Sequence, residues 1–119
     1  MIIFHVANET ASFTPSWVIT ENDFNHYLNI FMPEPQLEVV RQAIKAQYPA
    51  QGPPYYGDQR GRIADVIRDS SFTCNTRWLY DAYNSIGAGT YMLQYDFLDY
   101  FLEQHYNDAI HASDLLPLF

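Results

Sequence analysis

Two residues near opposite ends of the chain, Glu9 and His111, could act together as an acid and a base. Glu9 follows a short apolar run at residues 2–7, and His111 follows a second strand-like segment at residues 90–96. In a hydrolytic triad, a carboxylate holds an imidazole in place, and the imidazole activates the nucleophile. The two residues are 102 positions apart, and spacing alone equally allows a solvated glutamate and a surface histidine.

The sequence offers no nucleophile to complete this pair. None of the six serines lies in a Gly-x-Ser-x-Gly turn, the strained turn that presents a catalytic serine. The nearest match is the segment around Ser85, which lacks the first glycine, so we interpret Ser85 as a residue at the end of a helix. Cys74 shares a predicted helix face with Trp78, and we interpret it as a small buried apolar side chain.

A metal site is not predicted either. His105, Asp108 and His111 lie close together in sequence, but their spacing fits no helix turn and no known zinc pattern. The single cysteine, Cys74, excludes a multi-thiolate site and an intrachain disulfide. We therefore predict no metal ion and no cofactor.

Composition narrows the possible partners and the number of domains. The chain has 119 residues, which suits one small domain, and it carries a net charge of −8 with only six Lys and Arg. Nucleic acid is therefore not an expected partner, because phosphate contacts need clustered basic residues. No apolar run approaches the ~18 residues of a membrane span. The chain shows no signal peptide, and its localisation stays unassigned.

The first half of the chain predicts one strand and two helices. The apolar run at residues 2–7 indicates a strand buried on both faces, as in a parallel sheet. Thr20 and Asp23 have the spacing of a capping box, which opens a helix. Pro35 opens a second helix, which stops at Pro49. The apolar residues on these two helix faces are Phe24, Tyr27, Leu28, Phe31, Leu37, Val40, Ile44 and Tyr48.

The second half predicts two further helices and a strand. A loop rich in proline and glycine covers residues 49–57, and a third helix begins near Asp58. The helical pattern shifts around residues 69–71, and Gly87 stops a fourth helix before the strand at 90–96. The apolar side chains on the fourth helix are Cys74, Trp78, Leu79, Ala82 and Ile86.

These elements predict an α/β fold. The strands, at about 2–7 and 90–96, are of the parallel type, with four or more helices between and after them. Two strands do not make an independent sheet, so we expect them to be part of a larger one. The segment at residues 97–110 is compatible with either a helix or a structured loop.

Four segments resemble the type-B carboxylesterase/lipase family, the cholinesterase-like α/β-hydrolases, and are closest to fungal members. They occur in the family's order and together span the chain. The segments are 3–10 (IFHVANET), 69–74 (DSSFTC), 90–96 (TYMLQYD) and 111–119 (HASDLLPLF). The chain departs from the family at His5, Thr10 and Ala112, where the family has glycine.

The resemblance implies that residues 1–119 are the C-terminal part of an α/β-hydrolase domain of carboxylesterase type B. It implies that His111 is the general base and acid, and that Glu9 orients and stabilises its imidazolium. The nucleophilic serine and the oxyanion loop would belong to an N-terminal part that this chain lacks. The implied partners are a small-molecule ester substrate and the missing remainder of the hydrolase domain, and the isolated chain is predicted to be inactive.

A second hypothesis stays open beside this one. An acidic, largely helical chain with 17% aromatic residues could instead be a non-catalytic interaction module or a pseudoenzyme remnant. Such a module would bind a partner through its aromatic surface.

Overall fold

The computed structural model describes residues 1–7, 10, 13–55 and 57–95. The predicted segment at 97–110 and the family-like segment at 111–119 lie outside these residues. Within the described ranges no helix is long and apolar enough to cross a membrane. The helices and strands are, in order, β1 (Ile2–Val6), α1 (Glu21–Phe31), α2 (Glu38–Gln47), α3 (Gln59–Arg68), α4 (Cys74–Ser85) and β2 (Tyr91–Tyr95).

The chain divides into two compact units, and the division falls near the end of α3. Unit 1 consists of Met1–Ser12 and Ile67–Phe119, and unit 2 of Phe13–Val66. Unit 1 holds the two strands and α4, while unit 2 holds α1, α2 and most of α3.

The two strands of unit 1 are parallel neighbours, which confirms the predicted α/β class in its coarse form. Their register pairs Ile2 with Tyr91 and Val6 with Tyr95. The Met1 ammonium extends the pairing by donating to the Gly89 carbonyl at 2.6 Å. Strands that run in the same direction end at the same edge of the sheet, so both carboxyl ends lie together.

The prediction that the first strand is buried on both faces holds only at its carboxyl end and was wrong for Ile2 and Phe4. Ile3 and His5 are each 8% exposed, but Ile2 and Phe4 are 64% and 45% exposed. Their register partners Tyr91 and Leu93 are exposed as well. In the described part of unit 1, α4 packs on the strands from the His5 side. The opposite face of β1 is covered only at its carboxyl end, where Val6 is 2% exposed.

Unit 2 begins with a helix start that the sequence predicted correctly. The Thr20 side chain accepts a hydrogen bond from the Asp23 amide, and the Asp23 carboxylate accepts one from the Thr20 amide. These bonds hold the pKa of Asp23 below its ordinary value of 3.8. The helix face behind this cap buries Phe24 and Leu28 completely, and these side chains share the core of unit 2 with Val18, Ile63 and Val66.

Two of the six basic residues are buried in unit 2. Arg41 donates to the Met32 and Glu34 carbonyls and pairs with Glu38 at 2.8 Å, and it is 7% exposed. Arg62 is 2% exposed. Side-chain hydrogen bonds from Gln42 and Arg41 hold the pKa of Glu38 below its ordinary value.

Helix α4 lies at the surface, so the interpretation of Cys74 as a buried apolar side chain was wrong. None of its described residues is buried, and Cys74, Trp78 and Ile86 are exposed. The helix does begin and end as predicted, since Gly87 follows it with a φ of +74°, a backbone angle that glycine adopts without strain.

Candidate functional site

Glu9 and His111, the two predicted catalytic residues, both lie outside the described residues. The structure describes the strand ends that precede them. Glu9 comes three positions after the end of β1, and His111 comes sixteen positions after the end of β2. Because β1 and β2 are parallel neighbours, both connections leave from the same edge of the sheet. In open α/β sheets, this edge is where functional groups gather.

The described part of unit 1 also holds a cavity of about 250 Å³ at this edge. This volume lies below the range of pockets that take drug-sized ligands. His5 and Gln94 are register partners near the strand ends and contribute to the wall from β1 and β2. The lining residues are His5, Ala7, Arg68, Asp69, Thr73 and Gln94.

A π-helical turn at Asp69–Thr73 forms part of the cavity wall. Such a turn inserts one extra residue into a helix, and π turns are frequent at functional sites. The Arg68 Nε donates to the Asp69 Oδ1 at 3.2 Å, so a positive and a negative group sit side by side in the wall. The cavity lining therefore carries both signs of charge.

Thr76 of α4 links the π-helical turn to His5 of β1. The Thr76 hydroxyl donates its only hydrogen to the Thr73 carbonyl at 2.9 Å. The Thr76 oxygen also lies 3.4 Å from the His5 Nδ1, and this contact joins α4 to β1.

The Thr73 hydroxyl oxygen is sealed from solvent and has no hydrogen-bond partner among the described residues. Leaving a buried hydroxyl unpaired costs about 1–3 kcal/mol. We expect Thr73→Val, which keeps the side-chain shape, to raise the free energy of unfolding of unit 1 by about 1 kcal/mol. Chemical denaturation followed through the Trp78 fluorescence of a Trp17→Phe background measures the change.

Thr76→Val is the matched control for that prediction. It removes a hydroxyl that is bonded to the Thr73 carbonyl and contacts His5, so it should lower the same free energy by about 1 kcal/mol. Equal shifts in both variants would contradict the assignment of an unpaired Thr73 hydroxyl.

The cavity was not predicted from the sequence, although one signal pointed to it. The helical pattern shifts around residues 69–71, where the π turn inserts its extra residue.

The interpretation of Ser85 is confirmed, because Ser85 is the last residue of α4 and its hydroxyl donates to the Ala82 carbonyl at 2.7 Å. Cys74 is exposed rather than buried. His105 and Asp108 lie outside the described residues.

Unit 2 carries a second feature of functional interest, a row of ring side chains that we call the aromatic strip. Trp17 lies between His26 and Tyr27, with ring centroids 5.8 and 6.2 Å away, and Tyr27 stacks on Phe31 at 6.0 Å. Trp17 and Phe31 are 44% and 47% exposed. Partial burial raises the pKa of Tyr27 above its ordinary value of 10.0.

In the ranges that the structure describes, no group of three or more His, Cys, Asp or Glu residues could hold a metal ion.

Comparisons with protein-family models, with curated proteins and with solved structures find no match to this chain. Any assignment of function therefore rests on the chain's own residues and geometry.

Proposed function

We propose that this chain supplies the acid and the histidine of a Ser-Glu-His triad in a carboxylic-ester hydrolase that resembles the type-B carboxylesterases. The observation that carries the proposal is the parallel pairing of β1 and β2 as direct neighbours. In such a triad the acid and the histidine follow parallel strands, and here Glu9 and His111 each follow one of the two paired strands. Residues 1–119 would then form the C-terminal part of an α/β-hydrolase domain.

The proposed chemistry assigns a separate task to each residue. His111 takes the proton from the serine through Nε2 as that serine attacks the ester carbonyl, and returns it to the leaving alcohol. The Glu9 carboxylate accepts a hydrogen bond from the His111 Nδ1, which fixes the tautomer and stabilises the imidazolium. The serine and the oxyanion donors come from outside this chain, so the isolated chain is inactive.

We expect Glu9 and His111 to be joined by a hydrogen bond of ~2.6–3.2 Å. NMR spectroscopy of the full chain should then show a downfield N–H resonance on the His111 Nδ1, because this hydrogen is held by a carboxylate and protected from exchange. Glu9→Gln should shift this resonance upfield or abolish it, since a neutral amide oxygen is the weaker acceptor.

Glu34→Gln is the matched control, since Glu34 is exposed and lies in unit 2. It should leave the His111 resonance unchanged. A His111 resonance that responds equally to both substitutions, or to neither, would rule out the Glu9–His111 pair.

A non-catalytic acidic helical module is the second candidate function. The specific observation that favours it is the exposed aromatic strip of unit 2, which the ester-hydrolysis proposal does not use.

A further inference from the structure

We propose that the aromatic strip of unit 2, formed by Trp17, His26, Tyr27 and Phe31, docks an arginine-rich peptide segment of a protein partner. This inference goes beyond ester hydrolysis and does not depend on Glu9 or His111. It rests on the exposure of the strip, on the charge around it and on the way this chain already binds guanidinium groups.

The strip is a continuous surface rather than scattered single side chains. Successive ring centroids from His26 through Trp17 and Tyr27 to Phe31 are separated by 5.8, 6.2 and 6.0 Å. Isolated apolar residues on a surface are ordinary, but contiguous exposed patches mark interaction sites. Further exposed apolar side chains in the same stretch of sequence of unit 2 are Phe13, Ile19 and Ile30.

The charge near the strip favours a cationic partner. Helix α1 carries Glu21 and Asp23 in its first turn and no basic residue in its last turn. Because Glu21 is paired with Arg62, Asp23 is the carboxylate that matters here. The Asp23 carboxylate accepts hydrogen bonds from the amides of Ile19 and Thr20, and these bonds keep it ionised. Asp23 lies one helical turn before Tyr27, so a negative charge borders the strip.

The net charge of the whole chain adds to this local effect. At −8 the chain repels nucleic acid and anionic lipid surfaces, and it attracts basic peptides over a Debye length of ~8 Å at physiological salt. Aromatic residues bind cations on their ring faces, with tryptophan the strongest of them. A partner with positive charge and apolar contact area could pack on the rings of the strip and pair with the Asp23 carboxylate.

Arginine is the side chain that fits best, because its planar guanidinium stacks on aromatic faces. Two such contacts already exist within the described residues. The Arg62 guanidinium lies 3.6 Å from the Phe24 ring centroid, and the Arg77 guanidinium lies 5.8 Å from the Tyr80 centroid. A docked peptide would repeat on the surface the contact that unit 2 uses in its core.

Isothermal titration of the full chain with a nona-arginine peptide tests the proposal. Trp17→Ala should weaken binding about fivefold or more, because it removes the central ring of the strip. The matched control is Trp78→Ala, since Trp78 is 69% exposed but belongs to unit 1. It should leave the affinity unchanged. Circular dichroism confirms that both variants keep their helices, and Tyr27→Leu provides a second variant that removes a ring while keeping an apolar side chain.

Three results would overturn the proposal. Equal weakening by Trp17→Ala and Trp78→Ala would show attraction to net charge alone. Equal affinity for an uncharged peptide of the same length would show apolar docking without cation recognition, and tighter binding to anionic vesicles than to the peptide would point to a membrane. Glu9→Gln should not change peptide binding, so failure of the ester-hydrolase proposal and failure of this one are distinguishable.

Discussion

Replacing Arg62 with methionine is expected to lower the free energy of unfolding of unit 2 by about 3 kcal/mol. Arg62 is 2% exposed and donates three hydrogen bonds. Its Nε donates to the Tyr48 carbonyl, and its Nη1 donates to the Glu21 Oε2 at 2.6 Å and to the Gln59 Oε1 at 3.0 Å. Methionine occupies much of the same volume but donates to none of these oxygens.

The size of this loss follows from which partners stay buried. The Glu21 side chain is 46% exposed, so water can replace its hydrogen bond to Arg62 at little cost in free energy. Gln59 is 5% exposed, and its amide oxygen loses a donor that water does not easily replace. The expected loss therefore falls at the lower end of the 3–5 kcal/mol found when one partner of a fully buried ion pair is removed.

Arg60→Met is the matched control on the same helix. Arg60 is exposed, so its substitution should change the free energy of unfolding by no more than about 0.5 kcal/mol. Amide hydrogen exchange at Leu28 and Ile63, both in the core of unit 2, reports the stability of this unit without a signal from unit 1. Equal effects from both arginine substitutions would show that burial of Arg62 does not hold unit 2 together.

Local signals in the sequence were enough to predict most helix and strand boundaries. The capping box at Thr20 and Asp23 and the glycine at 87 act on backbone geometry within a few residues. Pro35 opens a short 3₁₀ turn, Pro35–Leu37, and α2 itself begins only at Glu38. The alternating and continuous apolar runs predicted both strands to within one residue at each end. These helix and strand boundaries could be predicted because each depends on residues that are close together in the sequence.

Burial was harder to predict, because it depends on distant partners. Arg62 is buried, and Glu21, one of its hydrogen-bond partners, lies 41 positions away, beyond the reach of a local sequence pattern. Cys74 was interpreted as a buried apolar side chain, yet it is exposed. The face of β1 that carries Ile2 and Phe4 was predicted to be covered, and these two residues are exposed, although Val6 on the same face is buried.

The candidate site was predictable only in part for the same reason. The strand order that brings the connections to Glu9 and His111 to one edge was predicted from strand type and the family resemblance, and the described strands have that order. The cavity beside this edge was not predicted: the shift of helical pattern around residues 69–71 marks the π turn, but it does not show that β1 and β2 supply the rest of the wall. The Glu9–His111 pair itself stays a prediction.

Phe24→Ala is expected to destabilise unit 2 by about 3–5 kcal/mol, the largest loss we predict for a single substitution. The Phe24 side chain is completely buried, and truncating it leaves a cavity as well as removing apolar contact area. Phe31→Ala on the same helix is the control, because Phe31 is 47% exposed and its loss should cost about 1 kcal/mol or less. Chemical denaturation followed by circular dichroism measures both, and equal losses would contradict the assignment of Phe24 to the core.

Part of the Phe24 effect should come from the guanidinium group that lies against its ring. The Arg62 guanidinium carbon is 3.6 Å from the Phe24 ring centroid, a distance at which a desolvated cation–π contact contributes about 2 kcal/mol. A double-mutant cycle with Phe24→Leu and Arg62→Met isolates this contact, because leucine keeps apolar contact but has no ring face. We expect a coupling energy of about 1–2 kcal/mol, since removing either partner already removes the contact. Additivity to within about 0.5 kcal/mol would mean that the ring supports Arg62 by packing alone, and that the buried hydrogen bonds account for the whole effect of Arg62.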